Sequence, residues 1–162
     1  VVVANVPYYI TSKIVQLLLI AENKPRCIVL LVQKEVAERL AAEPGNMSIL
    51  AISAQVFAEV SLGDVVPAEY FIPAPKVDSQ VVILKTRTQS LIKDIDEKAF
   101  FQIVKAGFSA KRKKLRSSLS GGLGISKPET EALLQKAGIS PDARAESLSI
   151  EQWCTLVTIV AG

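Results

Sequence analysis

Two apolar runs separated by a helical stripe constrain the fold of this chain more than any other feature. Val1–Ala4 and Cys27–Val32 are short, apolar and rich in β-branched residues, a composition typical of buried strands. Between them, Thr11–Glu22 carries apolar residues at the spacing of one helix face, and Thr11 or Ser12 is a suitable N-cap. A strand, a helix and a second strand in this order predict two parallel strands joined by a crossover helix.

A second pair of predicted strands closes the first half of the chain. Phe57–Val66 and Val77–Thr86 have strand character, and a short proline-rich loop between them favours an antiparallel hairpin at the edge of the sheet. The sequence therefore predicts a partial α/β domain over residues 1–87, followed by a small all-helical domain over residues 88–162. The helices predicted in that second domain are Glu97–Phe108, Lys113–Leu119, 128–138 and Ile150–Val160.

The composition excludes several classes of chemistry. The 162 residues include no histidine, which excludes His-based catalytic triads, His metal ligands and imidazole proton shuttles. The acidic residues show no spacing typical of a metal site, so no metal is expected. Cys27 and Cys154 stand in apolar surroundings, which favours two buried thiols in a reducing cytosol. The apolar stretches fall short of the roughly 20 residues that span a bilayer, so no membrane partner is expected.

Asn5, Pro7 and Tyr8 directly follow the first predicted strand. Pro7 has no N–H for the ladder and ends the strand, which places these residues at the carboxyl edge of the sheet, where ligands bind in open α/β folds. The exocyclic amine of adenine is a poor nucleophile because its lone pair is delocalised into the ring. The Asn5 side-chain oxygen and the Pro7 carbonyl are two acceptors that can hold both amine hydrogens and turn the nitrogen lone pair towards a methyl group. Tyr8 offers a flat face to a base taken out of its stack, although an ordinary turn is the alternative interpretation.

The proline-rich loop Phe71–Ser79 is a second candidate site. Its prolines restrict the backbone, so Phe71 and Lys76 are held at low entropic cost. We expect Phe71 to form the other side of a base sandwich with Tyr8. The alternative is an ordinary hairpin loop with Phe71 packed into the core.

A dense group of cations is the third candidate site. Like charges at this density repel one another unless an anion is nearby, and at the start of a helix they also oppose the helix dipole. The group therefore predicts contacts with RNA or DNA phosphates, to which the hydroxyls of Ser117 and Ser118 can add hydrogen bonds. The alternative is a solvated helix face. The cations are Lys111, Arg112, Lys113, Lys114 and Arg116.

These stretches together resemble the small-subunit ribosomal RNA adenine dimethyltransferases. Asn5-Val6-Pro7-Tyr8 resembles the Asn-Leu-Pro-Tyr catalytic motif of that family, with valine in place of leucine. The resemblance implies the C-terminal part of a Rossmann-like class I methyltransferase sheet, followed by a helical rRNA-binding domain. It extends in order through Val32–Leu40, Phe71–Val82, Phe108–Arg116 and Arg144–Leu148.

The resemblance implies that methyl groups move from S-adenosylmethionine to N6 of two adjacent adenines in a hairpin loop of small-subunit rRNA. The implied setting is a monomeric enzyme acting on the pre-30S particle in the cytoplasm. Asn5 and the Pro7 carbonyl would hold the target amine, and Asn5 would also lie against the methyl donor. Tyr8 and Phe71 would sandwich the adenine, while the five cations would grip rRNA phosphates. Lys111 replaces the first arginine of the family pattern, so the resemblance does not extend to a bidentate phosphate contact at that position.

The family's glycine-rich donor loop lies upstream of the Asn-Pro-Tyr motif. This chain starts within a predicted strand, with no initiating methionine and no signal-peptide pattern. We therefore expect a fragment whose sheet has further strands upstream, which alone is inactive and binds S-adenosylmethionine weakly or not at all. The sequence leaves open the number and order of methylations and the source organism.

Two alternative functions remain open at this point. One is the antibiotic-resistance branch of related enzymes, which modifies large-subunit rRNA and shares the Asn-X-Pro-Tyr motif. The other is a non-catalytic protein on the same scaffold, such as a ribosome-assembly factor or a mitochondrial transcription factor. The cationic segment and Arg144–Leu148 favour the small-subunit branch, and the intact Asn5, Pro7 and Tyr8 favour retained chemistry.

Overall fold

The computed structural model describes the backbone of residues 1–162 and every side chain except that of Tyr8. The chain divides into two compact units. Unit 1 comprises Val1–Ala42 and Leu50–Ser90, and unit 2 comprises Glu43–Ile49 and Leu91–Gly162. The sequence did not predict that Glu43–Ile49 groups with the later residues. Backbone hydrogen bonds explain it, because the N–H groups of Gly45 and Met47 both donate to the Glu146 carbonyl, at 2.9 and 3.1 Å.

Unit 1 contains a four-stranded mixed sheet. β1 and β2 are parallel, with Val2 opposite Ile28, and a helix connects them as predicted. The next two strands form the expected antiparallel hairpin, and its second strand also pairs antiparallel with β2. The strands are β1 (Val2–Asn5), β2 (Cys27–Gln33), β3 (Ala58–Val66) and β4 (Ser79–Thr86), in the order β1-β2-β4-β3.

The core of unit 1 covers one face of this sheet. On β2 every second residue is buried, and Leu30 is fully buried opposite Val82 of β4, which is buried too. Val15 and Leu19 from the first helix are also almost completely buried. The helices of unit 1 are α1 (Thr11–Ile20), α2 (Lys34–Leu40) and α3 (Ile49–Gln55), although Ile49 itself groups with unit 2.

The expectation that the first strand is buried is wrong. Val1 is 84% exposed and Val3 is 75% exposed. Burial alternates along β1 because its successive side chains point to opposite faces of the sheet, and β1 is also an edge strand that pairs only with β2 within the described structure. The β2 strand, predicted as another buried run, is instead half-buried on its second face.

Unit 2 is helical, as predicted. Its core is centred on Trp153 and Phe100, both completely buried, and the Phe108 ring stacks on Trp153 with ring centroids 5.9 Å apart. Side-chain caps fix several helix starts: Asp96 accepts a hydrogen bond from the Ala99 N–H, and Ser149 forms a capping box. The helices are α4 (Glu97–Phe108), α5 (Leu115–Leu123), α6 (Lys127–Lys136) and α7 (Ile150–Ala161).

The α5 helix differs from its prediction at both ends. It begins two residues later than Lys113 and continues past Leu119 through Gly121 and Gly122. A Cβ atom on Gly122 would lie 2.6 Å from the Ala106 Cβ atom, so this glycine serves the close approach of α5 to α4. The helix ends at Gly124, whose φ of 70° is a left-handed C-cap.

Both cysteines are half-buried free thiols, not buried as expected. Cys27 is the first residue of the strand β2, and Cys154 lies on α7. Partial burial still raises the pKa of the Cys154 thiol, and the charge of Glu151 raises it further. Among the described residues, no helix is long and apolar enough to cross a membrane.

Candidate functional site

One edge of the sheet gathers the residues that the sequence marked for chemistry. β1 and β2 both end there because they run parallel, with Asn5 beside Leu31. β4 begins at the same edge, where Ser79 pairs with Gln33 of β2. The connection from β3 to β4, residues 67–78, therefore crosses the edge at which β1 ends. We refer to this connection as the proline loop.

A cleft of about 370 Å³ lies at this edge, within the range of small-ligand pockets. Asn5, Pro7 and Phe71, three of the four residues predicted to carry the chemistry, line it together. The side chain of the fourth, Tyr8, lies outside the described residues, so its sandwich with Phe71 stays a prediction. The other described residues of the lining are Val6, Pro73 and Pro75, which the sequence reasoning did not assign although the two motifs contain them.

Asn5 and Phe71 are both accessible from the cleft. Asn5 is the last residue of β1 and is exposed, which leaves its amide free to meet a ligand. Phe71 is half-buried and contributes to the wall of the cleft. It is therefore not a residue of the hydrophobic core, the alternative that the sequence left open.

The Pro7 carbonyl already accepts two hydrogen bonds. The Ile10 N–H donates at 3.2 Å, closing a short 3₁₀ turn, and the Thr11 hydroxyl donates at 3.4 Å. Thr11 is thus the first residue of α1 and not its N-cap, contrary to expectation. A separation of 3.4 Å is long for an O–H···O bond, so a better-placed donor can replace the hydroxyl at this carbonyl.

Asp78 closes the proline loop. Its side-chain Oδ1 accepts the Ala68 N–H at 3.0 Å, and its backbone carbonyl accepts the Lys34 N–H at 3.0 Å. The first bond joins the two ends of the loop that carries Phe71, and the second ties the loop to the start of α2. Sequence reasoning assigned no role to Asp78 and missed this contact. The available signal was an aspartate next to a strand start, after a proline-rich segment.

Most of the cations lie in a loop ahead of the predicted helix. Residues 109–114, the basic loop, connect α4 to α5, and only Arg116 of the five cations lies within a helix. The helix begins later because the chain itself satisfies its first N–H groups. The Leu115 N–H donates to the Ala143 carbonyl at 2.7 Å, and the Arg116 N–H donates to the Pro141 carbonyl at 3.3 Å.

Two of the five cations are paired with carboxylates of unit 2. Lys114 Nζ lies 3.0 Å from Asp142 Oδ1, and Arg116 Nη1 lies 3.5 Å from the same oxygen. Arg116 also contacts Glu131 at 3.1 Å. The hydrogen bond from Lys114 lowers the pKa of Asp142, and the positive charges of Lys114 and Arg116 lower it further.

The other three cations are available to a partner. Lys111, Arg112 and Lys113 are exposed and form no ion pair with any residue that the structure describes. Ser118, expected to assist them, is buried, and its hydroxyl donates to the Leu115 carbonyl at 3.2 Å. Within the described residues, no group of acidic or cysteine side chains is placed to hold a metal ion.

Comparison with known proteins identifies the family to which these features belong. The sequence pattern of the ribosomal RNA adenine dimethylases matches residues 1–162. The chain belongs to this family. The sequence resemblance and the predicted Rossmann-like methyltransferase fold are thereby confirmed.

Curated relatives of the dimethylase family share more than two fifths of their aligned residues with this chain. Three are named ribosomal RNA small subunit methyltransferase A. The relative from Dehalococcoides mccartyi is 43% identical over 157 residues, covering 97% of this chain and 54% of its own length. Those from Desulfitobacterium hafniense and Bacillus cytotoxicus are 44% and 42% identical, covering 94% and 96% of this chain and 55% of their own lengths. The chain thus spans about half the length of the curated relatives it matches.

Two solved structures share the fold. The 23S rRNA methyltransferase ErmE superimposes with a TM-score of 0.73 at 26% identity, covering 99% of this chain and 64% of its own. A dimethyladenosine transferase from Plasmodium falciparum gives a TM-score of 0.78 at 25% identity, covering 96% of this chain and 65% of its own. The first neighbour is named for methylation of 23S rRNA, and the second is named as a dimethyladenosine transferase.

Proposed function

We propose that this chain is the target-binding part of an enzyme that dimethylates N6 of two adjacent adenines in a hairpin loop of small-subunit rRNA. The observation that carries the proposal is the cleft in which Asn5, Pro7 and Phe71 meet, in a chain that belongs to the dimethylase family along its whole length. The enzyme acts as a monomer on the pre-30S particle in the cytoplasm. Residues 1–87 supply the catalytic side, and residues 88–162 supply the rRNA-binding side.

The target amine binds between two acceptors. The Asn5 side-chain oxygen, exposed at the end of β1, takes one hydrogen, and the Pro7 carbonyl takes the other by displacing the weakly bound Thr11 hydroxyl. Holding both hydrogens favours a tetrahedral nitrogen whose lone pair points away from the ring. Acceptors fixed in advance need no reorganisation when the bond forms, which is why such groups contribute strongly to rate.

The adenine ring binds against the aromatic wall of the cleft. Phe71 is half-buried and is held by the closed proline loop, so little conformational freedom is lost when a base stacks on it. Base stacking on an aromatic side chain contributes about 1–3 kcal/mol and tolerates any base. Tyr8 forms the opposite face in this proposal. The selection of adenine then falls to the two acceptors.

S-adenosylmethionine is the proposed methyl donor, and it supplies the electrophilic methyl group. The lining of the cleft fits the base better than the donor, because Asn5 is its only polar side chain among the described residues. Ribose hydroxyls and the amino-acid end of the donor need several polar partners. Of the described lining residues, Asn5 alone is therefore assigned a donor contact, beside the methyl group.

The rRNA backbone binds to the cations of unit 2. Lys111, Arg112 and Lys113 offer unpaired charge to phosphates, whereas Lys114 and Arg116 must first exchange their carboxylate partners. Exposed ion pairs of this kind contribute only about 0–1 kcal/mol, so phosphate can displace them. All five cations are thus proposed contacts, of unequal strength.

The choice of the small subunit rests on the degree of relatedness. The relatives at 42–44% identity are all small-subunit methyltransferases, whereas ErmE, named for 23S rRNA, is only 26% identical. The Plasmodium falciparum dimethyladenosine transferase, at 25% identity, is no closer, so the fold alone does not separate the two substrates. A direct assay on both substrates is therefore the required test.

That assay needs a protein with a complete donor site. We define the completed enzyme as this chain joined to the part of the Dehalococcoides mccartyi relative that it does not match. The completed enzyme is incubated with labelled S-adenosylmethionine and with 30S or 50S particles that lack the modification. We expect dimethyladenosine in 30S particles, identified by mass spectrometry, and none in 50S particles. Modification of 50S particles alone, or none despite measurable donor binding, would contradict the proposal.

A further inference from the structure

The most exposed apolar side chain near the cleft is that of Ile72. It is fully exposed, although both of its neighbours, Phe71 and Pro73, line the cleft. Tyr70, on the other side of Phe71, is 73% exposed. The proline loop therefore turns Phe71 into the cleft while it presents Ile72 outward, at the rim.

The loop restrains the backbone that carries this side chain before any partner arrives. After Ile72, Pro73 and Pro75 restrict the backbone. Before it, a 3₁₀ turn begins at Ala68, and the N–H group of Ala68 donates a hydrogen bond to the Asp78 side chain. Exposing an isoleucine forgoes the free energy that burial of its side chain would contribute. Single exposed apolar residues are common, so exposure alone does not indicate a function. Exposure combined with a restrained backbone beside a base-binding cleft does indicate a contact surface.

The proposed reaction requires an apolar side chain that enters the base stack at this position. We refer to such a side chain as a wedge. An adenine that enters the cleft leaves a gap in its stack, and the neighbouring base then exposes an apolar face. Proteins that open base stacks fill such gaps with isoleucine, leucine, methionine, phenylalanine or proline, which offsets part of the cost of unstacking. Ile72 has the required chemistry and stands next to the residue that receives the base.

Resting on the proposed function, we propose that Ile72 enters the base stack of the rRNA beside the target adenine and fills the space that the adenine leaves. Ile72 then acts as a positioning residue: it touches the neighbouring base and shifts the target towards the extruded state. Its effect depends on stacking in the substrate. It therefore disappears when the target adenine has no stacked neighbours.

The test compares two RNA hairpins as substrates of the completed enzyme. One carries the target adenine between normal stacked bases, and the other carries it between two abasic sites. Ile72→Ala is expected to lower kcat/KM by about 10-fold or more on the stacked hairpin, because part of the cost of unstacking is no longer offset. On the abasic hairpin the same variant should match the unchanged protein within about 2-fold. Ile72→Leu should retain activity on both.

Val77→Ala is the matched control, because Val77 is an exposed apolar residue that follows the same prolines and does not line the cleft. It should leave both rates unchanged. Equal loss on both hairpins with Ile72→Ala would overturn the wedge, since it would indicate a role in the cleft itself. No loss on either hairpin would also overturn it, and a loss confined to whole 30S particles would indicate a protein partner instead. In all of these cases the unchanged enzyme still methylates, which separates failure of this inference from failure of the proposed function.

Discussion

At the scale of single residues, the proposed chemistry depends most on Asn5. Its side chain is exposed at the cleft, so its replacement leaves no buried group unpaired. We expect Asn5→Ala in the completed enzyme to lower kcat by about 100-fold or more, the usual effect of removing one preorganised polar contact. The free energy of unfolding should change by less than about 0.5 kcal/mol. Single-turnover rates and urea unfolding measure the two quantities.

The control for this prediction is Asn23→Ala. Asn23 is also exposed, but it lies in the connection after α1 and does not line the cleft. This variant should retain full activity and stability. If Asn5→Ala kept its methylation rate, the amine would not be held by this side chain. If it lost stability instead, the activity loss would say nothing about chemistry.

The residues of the candidate site could be predicted to the extent that short motifs carry them. Asn5 and Pro7 are adjacent to a strand end, and the Phe71 motif follows a proline pattern, so local sequence sufficed to mark them. The pairing of Lys114 with Asp142 could not be predicted, because it joins residues far apart in the sequence. Availability of a charge depends on such distant partners, whereas its presence depends only on composition.

At the scale of elements, the proline loop should depend on the hydrogen bond from Ala68 to Asp78. Asp78→Ala removes the acceptor at 3.0 Å, and Phe71 then samples positions outside the cleft wall. The net contribution of such a bond is about 0.5–1.5 kcal/mol, so we expect kcat/KM of the completed enzyme for rRNA to fall by about 3- to 10-fold. The effect should lie mainly in KM, because the two amine acceptors remain.

Asp78→Asn separates this role from a role of charge. The asparagine side chain keeps an oxygen that accepts the same N–H, and the backbone bond to Lys34 is untouched. We expect it to restore at least half of the activity that alanine loses. An asparagine variant as defective as the alanine variant would show that the carboxylate charge matters, and not the closure of the loop.

The contact of α5 with α4 makes a second prediction at this scale. A Cβ atom at Gly122 would lie 2.7 Å from the Ala106 Cα atom, which belongs to the backbone of α4 and cannot simply rotate away. Gly122→Ala should therefore destabilise the 162-residue chain by about 1–3 kcal/mol. Gly121→Ala, where the added atom meets nothing within 4 Å, should stabilise it by about 0.5–1 kcal/mol. Urea unfolding of both variants tests the contrast, and equal effects would contradict it.

The types of the elements were largely predictable, but their surroundings were not. Alternation and helical spacing follow from local geometry, which is why α4 was predicted with the correct first and last residues. The exposure of Val3 depends on which other elements cover its face of the sheet, and no local pattern reports that. The start of α5 depends on carbonyls from Pro141 and Ala143, which lie more than twenty residues further along the chain.

At the scale of the whole molecule, the net charge of +3 is too small to explain binding of a polyanion by itself. Charges separated by more than about 8–10 Å are largely screened at physiological salt, so local clusters decide RNA binding. The basic loop is such a cluster, and its members differ in whether a carboxylate neutralises them. Two adjacent residues, Lys113 and Lys114, differ in this respect and not in residue type.

This difference predicts unequal salt dependence for two otherwise similar variants. A phosphate contact contributes about 0.7–0.9 to the slope of log K against log salt concentration, through release of counterions. Lys113→Ala should reduce the slope for a small-subunit rRNA hairpin by about that amount. Lys114→Ala should reduce it by less than half as much, because Asp142 lies 3.0 Å from this ammonium group and competes with phosphate for it, so that Lys114 neutralises less phosphate charge and releases fewer cations from the RNA. Fluorescence anisotropy between about 50 and 200 mM salt measures both slopes. Equal reductions would show that RNA displaces Asp142 completely, and the Asp142→Asn variant would then bind RNA with the same slope as the unchanged chain.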